Sequence, residues 1–465
     1  MKLYMKECRR VATSIVYFLF IAVLIFSWSQ NFKGVTKTEI DWSNGKEPME
    51  IGFDRPLLKE PTTEDAYFGS KISKDDPDRI MTGVTRALLS EYKSNSYAAY
   101  PVGYYKAVTL SKEKQARVLE ILCEITGLTE KQLESLPKDY FPAVTGTIFS
   151  FDTNVNVDNN GDMSVSTENE EGSNNSGDKT KNFVSQVTYE QFQELMNEME
   201  TLIGENGSNY SKEMMITYFG LSEMNYEEAY SEYQQTIQND KVTGGFARLF
   251  CDYMGLVLGF YPIFIVVILW LKDRTGNTAE LIYSRNVSSA KLVLMRYLAS
   301  VTMVIIPVLL LSLESFIPLI SFGVENNIAV DYLAYVKYIL WWLLPTVMIV
   351  TAIGMFFTLL TDSPIAVILQ FLWWFIDKGV TGLSQDTNIF TLMIRHNTLR
   401  GYEIVQDEFY TICRNRLLTA GISILVMFLS VWVLEKKRKG KINAANIYEK
   451  CFMHIKNKLP FSHTK

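Results

Sequence analysis

The chain has 465 residues, of which 48% are hydrophobic and 13% aromatic, and its formal net charge is -6 at pH 7. The acidic balance argues against nucleic-acid binding, which normally requires a clustered basic excess. A mean hydropathy of only +0.05 indicates a mixture of long apolar stretches and an ordinary polar segment. The five cysteines are too few and too scattered to predict a disulfide framework.

Six apolar stretches have about the length needed to cross a bilayer core, which takes roughly 20 residues of helix. The predicted fold is therefore an α-helical polytopic membrane protein with six transmembrane helices. The predicted spans are residues 11–30, 247–271, 297–320, 338–360, 364–377 and 417–434. The first follows a basic, amphipathic entry segment, 1–10, and lacks a small-residue cleavage site, so we interpret it as an uncleaved anchor. The fifth is the weakest, because its strictly apolar run stops at Asp377 after about a dozen residues.

The positions of lysine and arginine predict the orientation of these spans. Basic residues are concentrated in the N-terminal segment, in the loop 272–296 and in the C-terminal tail 435–465. Because cytoplasmic loops carry an excess of Lys and Arg, we expect both termini in the cytoplasm, residues 31–246 outside it, and a location in the plasma membrane. The predicted outer segment 378–416 does not fit this rule, since it carries Arg395, Arg400, Arg414 and Arg416.

Residues 31–246 are expected to form a large, mainly α-helical extracytoplasmic domain. Apolar residues recur there at helical spacing, and Thr188 and Gln191 have the spacing of a capping box. Residues 152–181 contain almost no large apolar side chain, so we expect a disordered loop, either a tolerated insertion or a flexible arm that meets a partner. Cys123 and Cys413 are both predicted outside the cytoplasm, where they either pair or remain free thiols.

The sequence contains no phosphate-binding loop, no zinc-protease motif and no serine-hydrolase motif. We therefore expect neither enzymatic activity nor a metal site. Three ionisable residues in or beside predicted spans are candidate pathway or interfacial groups: Arg248, Asp252 and Glu314. Arg248 and Asp252 are four residues apart, so they share a helix face and are placed to pair. Glu314 is expected near the outer headgroups.

The loop 272–296 carries the most specific pattern in the chain. Six of its residues follow a defined order before the third span: Glu280, Leu281, Ser284, Val287, Ser288 and Arg296. In this order the loop resembles the corresponding loop of permease subunits of the ABC-2 type transporter family. Two positions depart from the family pattern, because Asn286 stands where proline is common and Met295 where glycine often precedes the basic residue. Asparagine still suits a turn.

The resemblance implies that this loop forms a coupling helix that docks on a separate ATPase subunit. The implied coupling residues are Glu280, Ser284, Arg285 and Ser288. The family also implies a second permease copy, a surrounding of membrane lipids, a re-entrant hairpin within 378–416, and export of a lipid, peptide, polysaccharide or drug-like substrate. This chain would bind no cofactor itself, since ATP and Mg would be bound by the partner ATPase. The alternative is a membrane-anchored extracytoplasmic binding or sensing protein without transport activity.

Overall fold

The computed structural model describes most of the chain in eleven stretches: residues 2–45, 55–72, 76–100, 105–136, 140–141, 154–157, 163–166, 183–204, 207–275, 287–378 and 390–442. The chain divides into two compact units. The first, here called the membrane unit, comprises Met1–Ile51, Pro56–Glu60 and Tyr230–Lys465. The second, here called the polar unit, comprises Gly52–Arg55 and Pro61–Ala229.

The membrane unit begins with three helices, α1 (Lys2–Ala12), α2 (Ile15–Asn31) and α3 (Val35–Ser43). Helix α1 is amphipathic, and its buried face includes Glu7 and Val11. The hydroxyl oxygen of Ser14 accepts a hydrogen bond from the backbone N–H of Tyr17 at 3.3 Å and caps α2. The first apolar helix therefore begins at residue 15, and the residues before it belong to a separate amphipathic helix.

The polar unit is mainly helical, with short antiparallel strand pairs. Its helices are α4 (Pro77–Ser94), α5 (Lys112–Thr126), α6 (Glu130–Glu134), α7 (Tyr189–Ile203), α8 (Lys212–Phe219) and α9 (Tyr226–Gln234), the last crossing the boundary between the units in sequence. Its strands are β1 (Ser70–Ile72), β2 (Tyr97–Ala99), β3 (Lys106–Val108), β4 (Asn154–Val157), β5 (Met163–Ser166) and β6 (Leu221–Glu223). The pairs are β1 with β6, β2 with β3, and β4 with β5.

The core of the polar unit lies between α4, α5 and α7, which contribute buried Val84, Leu122 and Met196 among others. The capping box predicted at the start of α7 is confirmed. The Thr188 hydroxyl oxygen accepts from the backbone N–H of Gln191 at 3.3 Å, and Oε1 of Gln191 accepts from the backbone N–H of Thr188 at 3.0 Å. Such reciprocal bonds satisfy amide groups that a helix start leaves unpaired, which explains why this helix begins where the sequence predicts.

The segment 152–181, expected to be disordered, contains β4 and β5. These strands pair antiparallel, with Asn154 opposite Ser166 and Val157 opposite Met163. The rest of that segment lies outside the described residues. The structure therefore differs from the expectation over the two strands, because backbone pairing in a short hairpin needs no large apolar side chains.

The C-terminal part of the membrane unit contains most of the apolar helices: α10 (Thr243–Leu258), α11 (Pro262–Thr275), α12 (Ser289–Glu325), α13 (Ala334–Thr361), α14 (Ile365–Lys378), α15 (Tyr402–Asp407) and α16 (Phe409–Arg438). Within the described residues, five helical stretches are long and apolar enough to cross a membrane: Ile15–Ser43, Thr243–Asp273, Ser289–Glu325, Ala334–Thr361 and Phe409–Arg438. The apolar stretch Ile365–Asp377 is shorter. The chain is therefore a polytopic helical membrane protein.

The second predicted span is divided into α10 and α11 rather than being one continuous helix. The carbonyls freed at the break are satisfied by α14, since Trp374 Nε1 donates to Leu256 O at 2.9 Å and Gln370 Nε2 donates to Gly259 O at 2.7 Å. A Cβ at position 259 would lie 2.8 Å from Met393 Sδ. Glycine at the break thus permits a close approach of Met393, and polar side chains compensate for the interrupted backbone ladder.

Candidate functional site

Arg296, in the second turn of α12, connects three helices of the membrane unit. Its Nη1 lies 2.6 Å from Oδ2 of Asp273 near the end of α11, and its Nε lies 3.3 Å from Oε2 of Glu7 in α1. The guanidinium carbon also lies 4.3 Å from the centroid of the Trp270 ring, within cation–π range. The side chains of Arg296, Asp273 and Glu7 are only 7%, 14% and 12% exposed. Charges this buried require partners, so these contacts fix the relative positions of α1, α11 and α12.

Arg10 joins the same cluster from α1. Its Nη1 donates to Oδ2 of Asp273 at 3.3 Å, and its Nη2 donates to the other Asp273 oxygen and to Leu269 O, the latter at 2.9 Å. Asp273 is therefore shared between Arg10 and Arg296. We call Glu7, Arg10, Asp273 and Arg296 the four-residue network. It brings together the two ends of the loop 272–296, because Asp273 lies at its start and Arg296 at its end.

The start of α12 has two further attachments. The hydroxyl oxygen of Ser288 accepts from the backbone N–H of Lys291 at 3.2 Å, which caps the helix. Arg438, at the end of α16, donates from Nη1 to Val287 O at 2.6 Å. The residues that lead from the loop into α12 are therefore held by the end of α16 as well as by the four-residue network.

Of the four predicted coupling residues, Ser288 is described and serves as the N-cap of α12. Glu280, Ser284 and Arg285 lie outside the described residues. Their position along the chain, between Asp273 and Val287, places them in the short connection whose two ends are held as above.

A second set of charged residues includes Arg248 and Asp252 of α10. The predicted pairing of these two residues is wrong. Arg248 instead forms a two-pronged ion pair with Asp240, with Nη1 and Nη2 each 2.5 Å from a carboxylate oxygen, and its Nη1 lies 3.3 Å from the Tyr338 hydroxyl. Helical side chains point toward the N-terminus of the helix, so Arg248 extends back to Asp240 and away from Asp252. Asp240 was not singled out from the sequence.

Asp252 pairs with the segment that follows α14. Its Oδ1 lies 2.6 Å from Nε of Arg395, and its Oδ2 accepts from the backbone N–H groups of His396 and Asn397, at 2.6 Å for Asn397. Asp252 itself is fully buried. One carboxylate thus satisfies a mostly buried guanidinium and two backbone amides, which explains how an ionised group is accommodated there.

Asp377 and Arg416 bind the backbone of the same segment from two other helices. The Asp377 carboxylate accepts from Leu392 N at 2.8 Å and from Met393 N at 2.9 Å. Arg416 donates to the carbonyl of Thr391 at 3.0 Å and to that of Leu392 at 3.3 Å. These two side chains together supply acceptors and donors to backbone groups that no helix satisfies.

Residues 390–401, here called the irregular segment, contain no helix or strand. Thr391, Leu392, Met393 and Ile394 are all buried. Non-helical backbone packed among apolar helices is tolerated only where its polar groups find protein partners or water. The charged side chains of Asp252, Asp377 and Arg416 provide those partners, so this segment has a defined conformation within the membrane unit.

Glu314 occupies a different environment from these buried charges. It is exposed on α12, beside exposed Leu313 and Leu310, and Lys33 is the positive charge that acts on it. The structure therefore does not bring Glu314 together with Arg248 or Asp252. No group of three or more His, Cys, Asp or Glu side chains with metal-binding geometry occurs in the described part of the chain.

A sequence model of the family described as ABC-2 family transporter protein matches residues 101–377. The match covers more than half of the chain, and it includes the whole loop 272–296, helices α10 to α13 and α14 up to Asp377. The chain belongs to the ABC-2 transporter family. No curated protein and no solved structure matched it.

ABC-2 membership confirms the family inferred from the loop residues. Permeases of the ABC-2 family are typically non-catalytic transport subunits that work with an ABC ATPase, often as dimers. The four-residue network lies at both ends of the loop that suggested the family. Sequence reasoning had identified Arg296 there, but it missed Glu7, Arg10 and Asp273.

The contacts of the irregular segment account for two of the four arginines that did not fit the charge rule. Arg416 is buried inside α16, and the side chain of Arg395 is only 11% exposed and pairs with Asp252, so neither is displayed on a loop surface. The charge rule applies to residues that face water beside the membrane, so these two carry no information about orientation. The available signal was an isolated acidic residue in apolar sequence, Asp252, together with Asp377 at the end of an apolar run.

Proposed function

We propose that this chain is the permease subunit of an ATP-driven exporter of a lipid, peptide, polysaccharide or drug-like substrate. A separate ATPase subunit would supply the energy, and a second permease copy would complete the pathway. In this proposal the shorter helix α14 is the fifth of six spans, both termini lie in the cytoplasm, and the polar unit lies outside the plasma membrane. The family match and the set of apolar helices support the proposal.

The ion pair between Arg296 and Asp273 is the observation that carries the coupling mechanism. Because these residues lie at the two ends of the loop, the ion pair limits how far its ends can separate. Helix α12 continues from Ser289 to Glu325, about 55 Å at 1.5 Å per residue. A displacement of the loop by an ATPase would therefore pass into α12 without an intervening flexible linker.

Within this mechanism each predicted coupling residue has a distinct role. Glu280 or Arg285 forms an ion pair across the ATPase groove, and Ser284 lies between them in sequence. Ser288 positions the loop relative to α12 through its cap. Arg296 and Asp273 act as positioning residues, since they hold the loop without touching the ATPase.

Arg248 and Asp252, both on α10, have a supporting role in this proposal. Arg248 holds Asp240, and Asp252 holds the irregular segment. Tyr338 of α13 also contacts Arg248, so a movement of α13 that opens a route for substrate would rearrange this contact. Glu314 remains a candidate for interfacial contact, because it is exposed on α12.

Affinity purification of the full chain in mild detergent tests the proposal. We expect a protein with a phosphate-binding loop to co-purify with it and to hydrolyse ATP. The double variant Glu280→Ala and Arg285→Ala should lose most of the co-purified ATPase, whereas the matched double variant Lys272→Ala and Lys291→Ala should retain it. Absence of any nucleotide-binding protein from the wild-type preparation would contradict the proposal and favour the binding or sensing alternative.

A further inference from the structure

The C-terminal end of α16 contacts two separate connections of the membrane unit. Arg438 donates from Nη1 to the carbonyl of Val287, which lies just before the cap of α12. The neighbouring Lys437 places its Nζ 2.7 Å from Oδ2 of Asp362, in the connection between α13 and α14. Adjacent residues of one helix therefore hold both the loop 272–296, just before α12, and the turn that leads into α14.

The ion pair between Lys437 and Asp362 is largely shielded from water. Their side chains are 6% and 25% exposed, so solvent screens this pair less than it screens a surface pair. Asp362 is the C-cap of α13 and has a left-handed backbone conformation, with a φ of 55°. A carboxylate at this position is unfavourable without a nearby cation, because the C-terminus is the negative end of the helix dipole. Lys437 supplies that cation and so fixes the position of the turn.

The turn between α13 and α14 is short and constrained. Residues 362–364 alone connect the two helices. The hydroxyl groups of Thr361 and Ser363 form a hydrogen bond at 3.0 Å, and Pro364 restricts the backbone just before α14 begins. Helix α14 therefore has little freedom to move independently of Asp362.

Helix α14 also holds the break between α10 and α11 and the irregular segment. Gln370 and Trp374 donate to carbonyls at the break. Asp377, near the end of α14, accepts from two backbone amides of the irregular segment. The helix is about 21 Å long at 1.5 Å per residue. A displacement at its start would therefore reach both the break and the irregular segment.

We propose that Lys437 and Arg438 form a clamp that links movement of the loop 272–296 to α14. The inference rests on the proposed function, in which an ATPase displaces this loop. Movement of Val287 shifts the end of α16 through Arg438, and Lys437 carries the shift to Asp362 and α14. Lys437 and Arg438 are positioning residues, since they act through the loop and α14 rather than on ATP or substrate.

Distances between pairs of spin labels test the clamp in the full chain bound to its co-purified ATPase, after the five natural cysteines are replaced. The reference label is at Phe26→Cys on α2, and the second label is at Lys291→Cys on α12 or at Leu372→Cys on α14. All three side chains are exposed. We expect ATP with vanadate to change both distances in the protein with an intact clamp. Lys437→Gln should keep the α12 change and reduce the α14 change at least about twofold, because the link to the turn is lost.

Asp362→Asn is a second test variant, because asparagine suits the left-handed turn but removes the charge. It should reduce the α14 change as Lys437→Gln does, whereas Lys437→Arg should preserve it. The matched control is Lys436→Gln, which removes the same charge from the neighbouring residue, whose Nζ lies 5.7 Å from the centroid of the Trp432 ring. It should leave both changes intact.

Two results would overturn the clamp alone: an α14 change that is unaltered in Lys437→Gln and Asp362→Asn, or an equal reduction by Lys436→Gln. An α12 distance that does not respond to ATP with vanadate when the clamp is intact would overturn the proposed function together with the clamp. The α12 label therefore distinguishes failure of the coupling loop from failure of the clamp.

Discussion

Arg416 of α16 donates a hydrogen bond from Nη2 to the backbone carbonyl of Thr391 at 3.0 Å. The same guanidinium donates to Trp342 O at 3.0 Å and to Thr346 Oγ1 at 2.9 Å, so one buried cation connects α13, α16 and the irregular segment. Such a connection cannot be replaced by an apolar side chain, because the carbonyls it satisfies would remain buried and unpaired.

We therefore predict that Arg416→Met lowers the free energy of unfolding of the membrane unit by about 3 kcal/mol or more. Arg416→Lys should recover only part of this loss, since an ammonium cannot reproduce the fork of donors. Equilibrium unfolding in detergent micelles measures the effect. The control is Arg414→Met, which removes an exposed arginine two residues away and should change little. Equal stability of the two methionine variants would contradict the assignment.

The break between α10 and α11 gives a second prediction. Gly259→Ala should destabilise the protein by about 1–3 kcal/mol, because its Cβ would meet Met393 Sδ at 2.8 Å and a Trp374 ring carbon at 3.0 Å. Adding Met393→Ala should make the combined loss smaller than the sum of the two single losses. Gly421→Ala is the matched control, since a Cβ there meets nothing within 4 Å and alanine favours helix. Additive losses for positions 259 and 393 would count against the proposed close approach.

The polar unit should show a pH-dependent stability that depends on Glu91. Burial raises the pKa of Glu91 to about 7, although hydrogen bonds from Tyr210, Ala98 N and Asn209 favour its charged form. Its folded pKa lies above the ordinary value of 4.5, so its contribution to stability is fully present below about pH 4.5 and is lost as pH rises through about 7.

Glu91→Gln removes this titration. At pH 8 the variant should be more stable than the wild type by up to about 3 kcal/mol, and the advantage should shrink toward pH 5. Hydrogen exchange of peptides from residues 77–99 of the full chain reports the local stability at each pH. Glu124→Gln, an exposed position on α5, should leave the pH profile unchanged. A Glu91→Gln profile parallel to that of the wild type would rule out the buried titration.

The four-residue network predicts energetic coupling between Asp273 and Arg296. A double-mutant cycle with Asp273→Asn and Arg296→Gln should give a coupling energy of about 1–3 kcal/mol in unfolding. The exposed pair Glu435 and Lys439, with side chains 52% and 58% exposed, is the control and should give a much smaller coupling energy, because water screens exposed ion pairs. In the complex with its ATPase, each single variant at 273 or 296 should reduce transport more than it reduces ATPase binding. If transport and ATPase binding were reduced in proportion, these residues would instead belong to the surface that docks on the ATPase.

Much of the architecture could be predicted because its causes are local in sequence. Each predicted apolar run overlaps a helix, and Thr188 with Gln191 predicted the start of α7, since a capping box involves residues three apart. The boundaries were less accurate. Helix α12 extends well beyond its predicted span on both sides, because charged residues at its ends are accommodated by partners that hydropathy does not register.

The candidate site was harder to predict because its contacts are long-range. Glu7 and Arg296 contact each other although they are far apart in sequence, and no spacing rule relates them. The expected pairing of Arg248 with Asp252 failed for the same reason, since each residue has a better partner elsewhere. Helical spacing identifies residues that share a face, but it does not identify which neighbouring element that face meets.

Site-directed labelling at position 284 tests the central claim, that the loop 272–296 faces the cytoplasm and contacts an ATPase. A cysteine is introduced as Ser284→Cys after the five natural cysteines are replaced, with Ser135→Cys in the polar unit as the opposite-side control. A membrane-impermeant maleimide should label position 135 but not 284 in intact cells. It should label 284 in inverted vesicles, and bound ATPase should protect that position. Labelling of position 284 from outside intact cells would contradict the account.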